Sequence, residues 1–214
     1  MHVVLSHFPD LLAGFLVTVE LTVLGYLGAL ILGTILAVCR ISPITPLRVI
    51  GSIYVEVFRN IPLLALLILF VFGLPDVGLT YSFFVSTAIC LALSGAAFVC
   101  ESMRAGINSV AVGQAEAARA IGLTFSKSLR FIILPQAFRS MVQPLVNVFI
   151  GVALSSSLAS VVGVTDITNR TQFLNLQYAE ATATFLVSAA FYIALALLGG
   201  GVGGYLERRL AVRR

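Results

Sequence analysis

Few side chains in this 214-residue sequence are of types that do chemistry, and most of those lie within long apolar runs. The clearest are Glu101, Asn147 and three consecutive hydroxyls, Ser155, Ser156 and Ser157. Ionisable groups at membrane depth are costly, and they face protein or a watery path. Successive serines on a helix point in different directions, so three in a row predict a local break or a cavity-lining turn. Such irregular backbone is tolerated at depth only beside protein or water. Hydroxyls and freed backbone groups offer both donors and acceptors, which is what a small zwitterionic solute needs. These five residues are the candidate lining of a solute path. Interhelical hydrogen bonding is the simpler alternative for the serines and Asn147. For Glu101 it is an ion pair with Arg104, three residues on.

Covalent catalysis is a poor fit. A serine nucleophile needs a base, yet His2 and His7 both lie in the N-terminal tail and Lys127, the lone lysine, falls in a loop. The aspartates are scattered through outer segments, so a metal-clustered phosphotransferase is not indicated. Cys39, Cys90 and Cys100 are odd in number and lack Cys-x-x-Cys spacing, which points to neither a disulfide framework nor a zinc site. They read as small apolar core residues. No P-loop is present: Ser126 precedes Lys127 where glycine is required. No metal or cofactor is expected on this chain, and any energy from ATP must arrive through another polypeptide.

The elements that position these residues are membrane spans. Hydrophobic residues make up 59% of the chain and charged residues 10%, against roughly a quarter charged in soluble domains. Mean hydropathy is +1.07. A span needs about 20 apolar residues, and five segments qualify: Leu12–Val38, Ile53–Gly73, Phe83–Arg104, Phe138–Val162 and Thr184–Tyr205. The expectation is one all-α bundle of about five transmembrane helices, a single domain over 1–214. Met1 to Asp10 lacks the basic start of a signal peptide, so the first span is expected to stay in the membrane.

Charge sets the expected orientation. Arg40, Arg48, Arg104, Arg119, Lys127, Arg130 and Arg139 flank alternate loops, and Arg208, Arg209, Arg213 and Arg214 form the tail. The opposite loops carry Asp10, Asp76, Asp166 and Glu180, with Arg170 their one basic residue. That places the N-terminus outside and the C-terminus in the cytoplasm. The net charge of +4 is thus topological, and no basic face for nucleic acid is formed. Glu20 is expected to snorkel to water, and Glu56 to pair with Arg59.

The segment 107–139 is too long for a plain connection. Gln114 to Ile121 has helix composition and Gly122 stops it. Ser126 to Ile133 sets Leu129, Ile132 and Ile133 against Lys127 and Arg130, and Pro135 is expected to close this piece. Two short helices broken by a glycine form either a knob for a soluble partner or an amphipathic hairpin capping the bundle.

Glu116-Ala117-Ala118, then Gly122, then Ile132-Ile133-Leu134-Pro135 resembles the EAA signature of ABC-importer permeases. The stretches Tyr54 to Pro62, Gly113-Gln114, Pro135-Gln136-Ala137 and Ser157 to Gly163 are similar to the polar amino-acid subfamily. The resemblance implies a permease subunit of a bacterial inner-membrane importer. In that family Glu116, Ala117, Ala118, Gly122, Leu134 and Pro135 would belong to a coupling loop docked on a cytoplasmic ATPase dimer that holds ATP and Mg. It further implies a second permease subunit, identical or related, and an extracytoplasmic amino-acid-binding protein. Ala29, Gly33 and Ala37, with the pairs Gly199/Gly203 and Gly200/Gly204, would allow the close contacts such pairing needs. Related permeases often carry Lys-Asp where this chain has Leu154 and Ser155, which removes a candidate anchor for a cationic group. The alternative, an ATP-independent secondary transporter or channel, would want carboxylate or histidine relays or an inverted repeat, and neither is evident.

Overall fold

A computed structural model describes residues 2–210; Arg213 and Arg214 of the expected tail lie outside them. Among the described residues the regular elements are all helical: α1 (His2–Ser6), α2 (Phe8–Ile41), α3 (Thr45–Asn60), α4 (Leu63–Ile68), α5 (Phe83–Asn108), α6 (Val112–Ala120), α7 (Phe125–Ser128), α8 (Leu134–Ser155), α9 (Ile167–Tyr178) and α10 (Ala181–Leu210). Four stretches are long and apolar enough to cross a membrane on their own: Phe8–Ile41, Phe83–Asn108, Phe125–Val162 and Ala181–Arg209. A fifth span exists if the bent pair Thr45–Asn60 and Leu63–Val77 counts as one. The five-span bundle is therefore present, and its second member is broken.

The span expected over Ile53–Gly73 is thus bent within its length. The two halves meet at 100°, because Pro62 forces the residue before it out of helical geometry. Ile61 accordingly sits at φ −77°, ψ 128°. Beyond the bend, α4 passes into a π-turn over Leu69–Gly73.

Helix α2 packs against α5 along a seam of small residues. A Cβ placed on Gly33 would lie 2.6 Å from Val99 Cβ and 2.7 Å from the Ala96 carbonyl oxygen. Gly25 and Gly28 meet Leu91 and Ala92 equally closely. Ala29 and Ala37 are buried in the same seam. These small residues thus join helices within one subunit, whereas the sequence reading assigned Ala29, Gly33 and Ala37 to contacts between subunits. Dispersion forces, not the hydrophobic effect, reward such close approach in lipid. The glycine pairs of α10 divide in the same way. Gly199 and Gly203 receive Phe149 and Val146 of α8, while Gly200 and Gly204 face open space. Cys90 and Cys100 are buried and Cys39 is half-buried. Leu24, Leu27, Ile31 and Ile35 are exposed along α2, which suits contact with membrane lipid.

Span four begins earlier than expected, and Pro135 does not close the preceding piece. Phe125–Val162 is one long helical stretch with a π-turn at Leu129–Ile133. The Leu134 N–H reaches back to the Leu129 carbonyl. Pro135 then falls in the first turn of α8, where a missing N–H is tolerated. The break expected at the serines is there: Ser156–Val162 tightens into a 3-10 helix that ends at Gly163, φ 90°.

Candidate functional site

Two regions gather the residues singled out by the sequence. The first is a cavity of about 470 Å³ beside the bend of span two, walled by α3, α5 and α8. Glu101, Asn147 and Ser155 line it. Ser156 and Ser157 do not. Their hydroxyls donate to the Ala153 and Leu154 carbonyls, both at 2.7 Å, and so shape the 3-10 turn instead of the wall. Asn147 Oδ1 accepts from the Gln143 side chain at 3.4 Å.

Glu101 is held mainly from another helix. Its Oε1 accepts from Arg40 of α2 and, at 3.4 Å, from Arg104 of its own helix. The expected Glu101–Arg104 contact forms, but it is the longer of the two. Arg40 also approaches the Cys100 sulfur at 4.0 Å. The expected Glu56–Arg59 pairing is not found among the described residues; Glu56 instead offers its backbone carbonyl to the Asn60 side chain at 2.6 Å. Glu20 is exposed, as snorkelling requires.

The sequence reading missed Arg59, Ser94 and Ser102 as wall residues. For Arg59 a signal was available. It lies directly before Asn60-Ile61-Pro62, and a broken span places its flanking residues beside a cavity.

The second region is the loop between α5 and α8. Helix α6 ends in a Schellman motif: the Leu123 N–H bonds the Ala118 carbonyl at 3.0 Å and the Gly122 N–H bonds that of Arg119 at 2.9 Å. Gly122 takes φ 81°, a left-handed value that residues bearing a Cβ adopt only with strain. Within α6, Ala118 is buried, whereas Glu116 is exposed. Around this cap four apolar side chains stand in the open: Phe125 (77% exposed), Ile121 (75%), Val112 (72%) and Phe131 (65%).

At the opposite end of the bundle Asp166 caps α9 by accepting the Asn169 N–H at 2.9 Å. It is fully buried, and burial pushes its carboxyl up to about 6 against the hydrogen bonds that hold it down. Tyr192 of α10 donates to its Oδ2 at 3.3 Å, and Thr18 of α2 accepts the Ile167 N–H at 3.2 Å. Asp166 and its neighbours thereby fasten α9 to both α2 and α10.

A bundle of about five spans, one of them broken beside a cavity, with a glycine-capped helical loop between α5 and α8, has the architecture of a transport permease subunit. The chain matches the binding-protein-dependent transport system inner membrane component family over residues 11–212 and belongs to it. It is a multi-pass protein of the bacterial inner membrane. It is 37% identical over 209 residues to a probable glutamine ABC transporter permease protein, GlnM, of Bacillus subtilis, covering 97% of this chain and 96% of that one. It is 39% identical to the glutamate transport system permease protein GluC of Corynebacterium glutamicum, covering 96% of each. Among solved structures, a crystal structure of an amino acid ABC transporter with histidines superposes with a TM-score of 0.90 at 32% identity, covering 96% of each chain. The inward-facing MetNI methionine ABC transporter shares the fold, with a TM-score of 0.72 at 21% identity.

Proposed function

We propose that this permease carries polar amino acids inward through a path shared by two such subunits, identical or related. A cytoplasmic ATPase dimer holding ATP and Mg drives it, and an extracytoplasmic amino-acid-binding protein supplies the solute. The whole chain, 1–214, acts as one permease domain. It hydrolyses nothing itself.

The observation that carries this reading is the glycine-capped knob with its ring of uncovered apolar side chains. Val112 and Ile121 lie outside the spans and Phe125 and Phe131 at the knob end of span four, and a protein groove covers such an exposed apolar patch well. Glu116, Ala117, Ala118 and Gly122 form the knob, and Leu134 and Pro135 join it through the π-turn to span four. A push on the knob is thereby transmitted to the wall of the cavity. The rigid connection suits alternating access, in which helices rock between two packings. The charge asymmetry of the loops supports an outward N-terminus and a cytoplasmic C-terminus and knob. Glu101, Asn147 and Ser155 form the solute path, and Ser156 and Ser157 hold its turn. The names of the relatives, glutamine and glutamate permeases, support amino-acid cargo.

The test is reconstitution of the chain with its ATPase and binding protein in vesicles. ATP-dependent uptake of glutamine or glutamate is expected, and a Phe125→Ser, Phe131→Ser double substitution should remove the ATPase from the purified complex. Uptake by the chain alone, without ATP, would overturn the reading.

A further inference from the structure

Among the described residues no cation pairs with Asp166, although it is fully buried at the end of the bundle away from the knob. Its carboxyl joins two helices directly: Oδ1 accepts the Asn169 N–H of α9 at 2.9 Å, and Oδ2 meets the Tyr192 hydroxyl of α10 at 3.3 Å. Thr168 reaches the same tyrosine at 3.0 Å, and Thr18 of α2 takes the neighbouring Ile167 N–H. Thr18 and Ser156 of the 3-10 turn complete the surroundings of Tyr192, and both are fully buried. The described groups facing the carboxyl from α2, α9, α10 and the turn are thus hydroxyls and amides, of which Tyr192 alone is titratable. Arg170, the nearest cation along the chain, lays its stem against Gly14 of α2, and its buried Nε has no hydrogen-bond partner. His7 meets Tyr178 at 3.4 Å at the other end of α9, about three turns away. A carboxylate buried without a cation is costly, and a bound proton removes that cost.

We infer that Asp166 is a proton-operated latch: with a proton bound it locks α9 onto α2 and α10, and with the proton lost it lets α9 detach from both. The proton changes the hydrogen bonds in a definite way. Protonated at Oδ2, the acid donates to the Tyr192 oxygen and keeps Oδ1 for the Asn169 N–H. Ionised, it has only Tyr192 and the start of α9 to satisfy it, out of reach of water. Those donors and the helix N-terminus favour the ionised form, yet burial outweighs them and carries the carboxyl up to about 6. In the opened segment the acid returns to an ordinary carboxylate affinity for the proton. The latch therefore holds in acid and slackens as pH rises through about 6. What it restrains is the wall of the cavity. Gly163 ends the 3-10 turn three residues before Asp166, and the turn runs back to Ser155, a lining residue. Acidity on the α9 side of the membrane thus stiffens one end of that wall.

Hydrogen–deuterium exchange tests the latch, on the full chain purified with the subunits that accompany it and held in lipid nanodiscs. Protection factors divide out the intrinsic pH dependence of exchange and report local opening. Between pH 5 and pH 7.5 the wild-type amides of α9 are expected to lose about tenfold in protection. The loss should level off above about pH 6, while amides of α2 and α5 along their seam hold their protection. Asp166→Asn keeps an acceptor for the Asn169 N–H and a donor for Tyr192, as the protonated acid does, and should lose less than about twofold. Constant α9 protection in wild type overturns the inference, as does the full loss surviving in Asp166→Asn or an equal loss along the seam. Should Asp166→Asn fail to fold, Tyr192→Phe decides. It removes a donor to the charged form, so the levelling point must move to higher pH, and an unmoved one overturns the latch. No readout here involves transport, so the importer reading stands or falls separately, by uptake.

Discussion

Arg40 and Glu101, sixty-one residues apart in sequence, form an ion pair that ties the end of α2 to the end of α5. The pair sits where the close α2–α5 seam opens into the cavity, with side chains 11% and 32% exposed. Surface pairs contribute about 0–1 kcal/mol and removal of one partner from a buried pair costs about 3–5 kcal/mol. An intermediate site should fall between. Glu101→Gln is expected to destabilise the detergent-solubilised subunit by about 1–3 kcal/mol, read from its thermal melt. In a double-mutant cycle with Arg40→Gln the coupling should reach about 1 kcal/mol, whereas a cycle of Glu101 with Arg104 should give less. Equal coupling in both cycles would contradict the distances.

The glycines of the seam and those of the outer α10 face should answer differently to the same change. Gly33→Ala pushes a methyl into Val99 and the Ala96 carbonyl, and overpacking of this kind costs about 1–3 kcal/mol. Gly200→Ala meets nothing within 4 Å and should leave the monomer's melt unmoved. A comparable loss in both would mean that the seam is not where the close packing lies.

These two comparisons also mark what the sequence could tell. Apolar runs and the split of basic residues were enough for five spans, since a bilayer demands length and hydropathy before anything else. The helix over Gln114 to Ile121 and its stop at Gly122 were legible because capping is local chemistry. Partners across helices were not. Glu101 has Arg104 three residues away, and only packing brings Arg40 closer. The bend at Ile61-Pro62 lay inside a stretch read as one span, although Glu56, Arg59 and Asn60 interrupt it and the proline that causes the bend was in plain view. Pro135 misled in the opposite direction, because the π-turn before it lets the helix continue. Of the five candidate path residues, Glu101, Asn147 and Ser155 share the cavity wall, and the tight turn itself withdraws Ser156 and Ser157.

Gly122 separates shape from space. A Cβ there meets nothing within 4 Å, as at Gly113, but only Gly122 has a positive φ. An L-residue held left-handed costs roughly 1–2 kcal/mol, and a β-branched one more. Gly122→Val should therefore distort the knob while leaving insertion in the membrane normal. Uptake in reconstituted vesicles is expected to fall at least tenfold, with ATP hydrolysis no longer tied to transport. Gly113→Ala should retain wild-type uptake. Full uptake by Gly122→Val would remove the knob from the coupling route.

Asp166 predicts a pH dependence of definite sign. Its carboxyl titrates near 6 when folded and about 3.9 when unfolded. Between those values the folded chain holds a proton that the unfolded chain has released, so stability falls as pH rises. The contribution is complete below about pH 4 and is lost as pH passes through about 6. The full swing is about 3 kcal/mol at most. Asp166→Asn keeps an oxygen for the Asn169 N–H but cannot ionise. Its melting temperature should change less between pH 5 and pH 7 than that of wild type, and a parallel pair of curves would show the carboxyl already charged in the fold.

Ser155 offers a way to change what the cavity accepts. It lies on the wall with Arg59 and Glu101 and brings a hydroxyl but no charge, and Glu101 is the one carboxylate there against Arg40, Arg59 and Arg104. A cationic side chain entering this field meets repulsion, which low dielectric strengthens. Ser155→Asp adds one negative charge at the wall without touching the α2–α5 seam or the knob. L-arginine should then gain about tenfold in affinity relative to L-glutamine, while L-glutamate loses. Competition binding on the nucleotide-free complex measures both ratios. Were the carboxylate to pair with Arg59 instead of greeting the ligand, glutamine binding would weaken and arginine would gain nothing. The two outcomes therefore distinguish a charge that meets the cargo from one that only closes an internal ion pair.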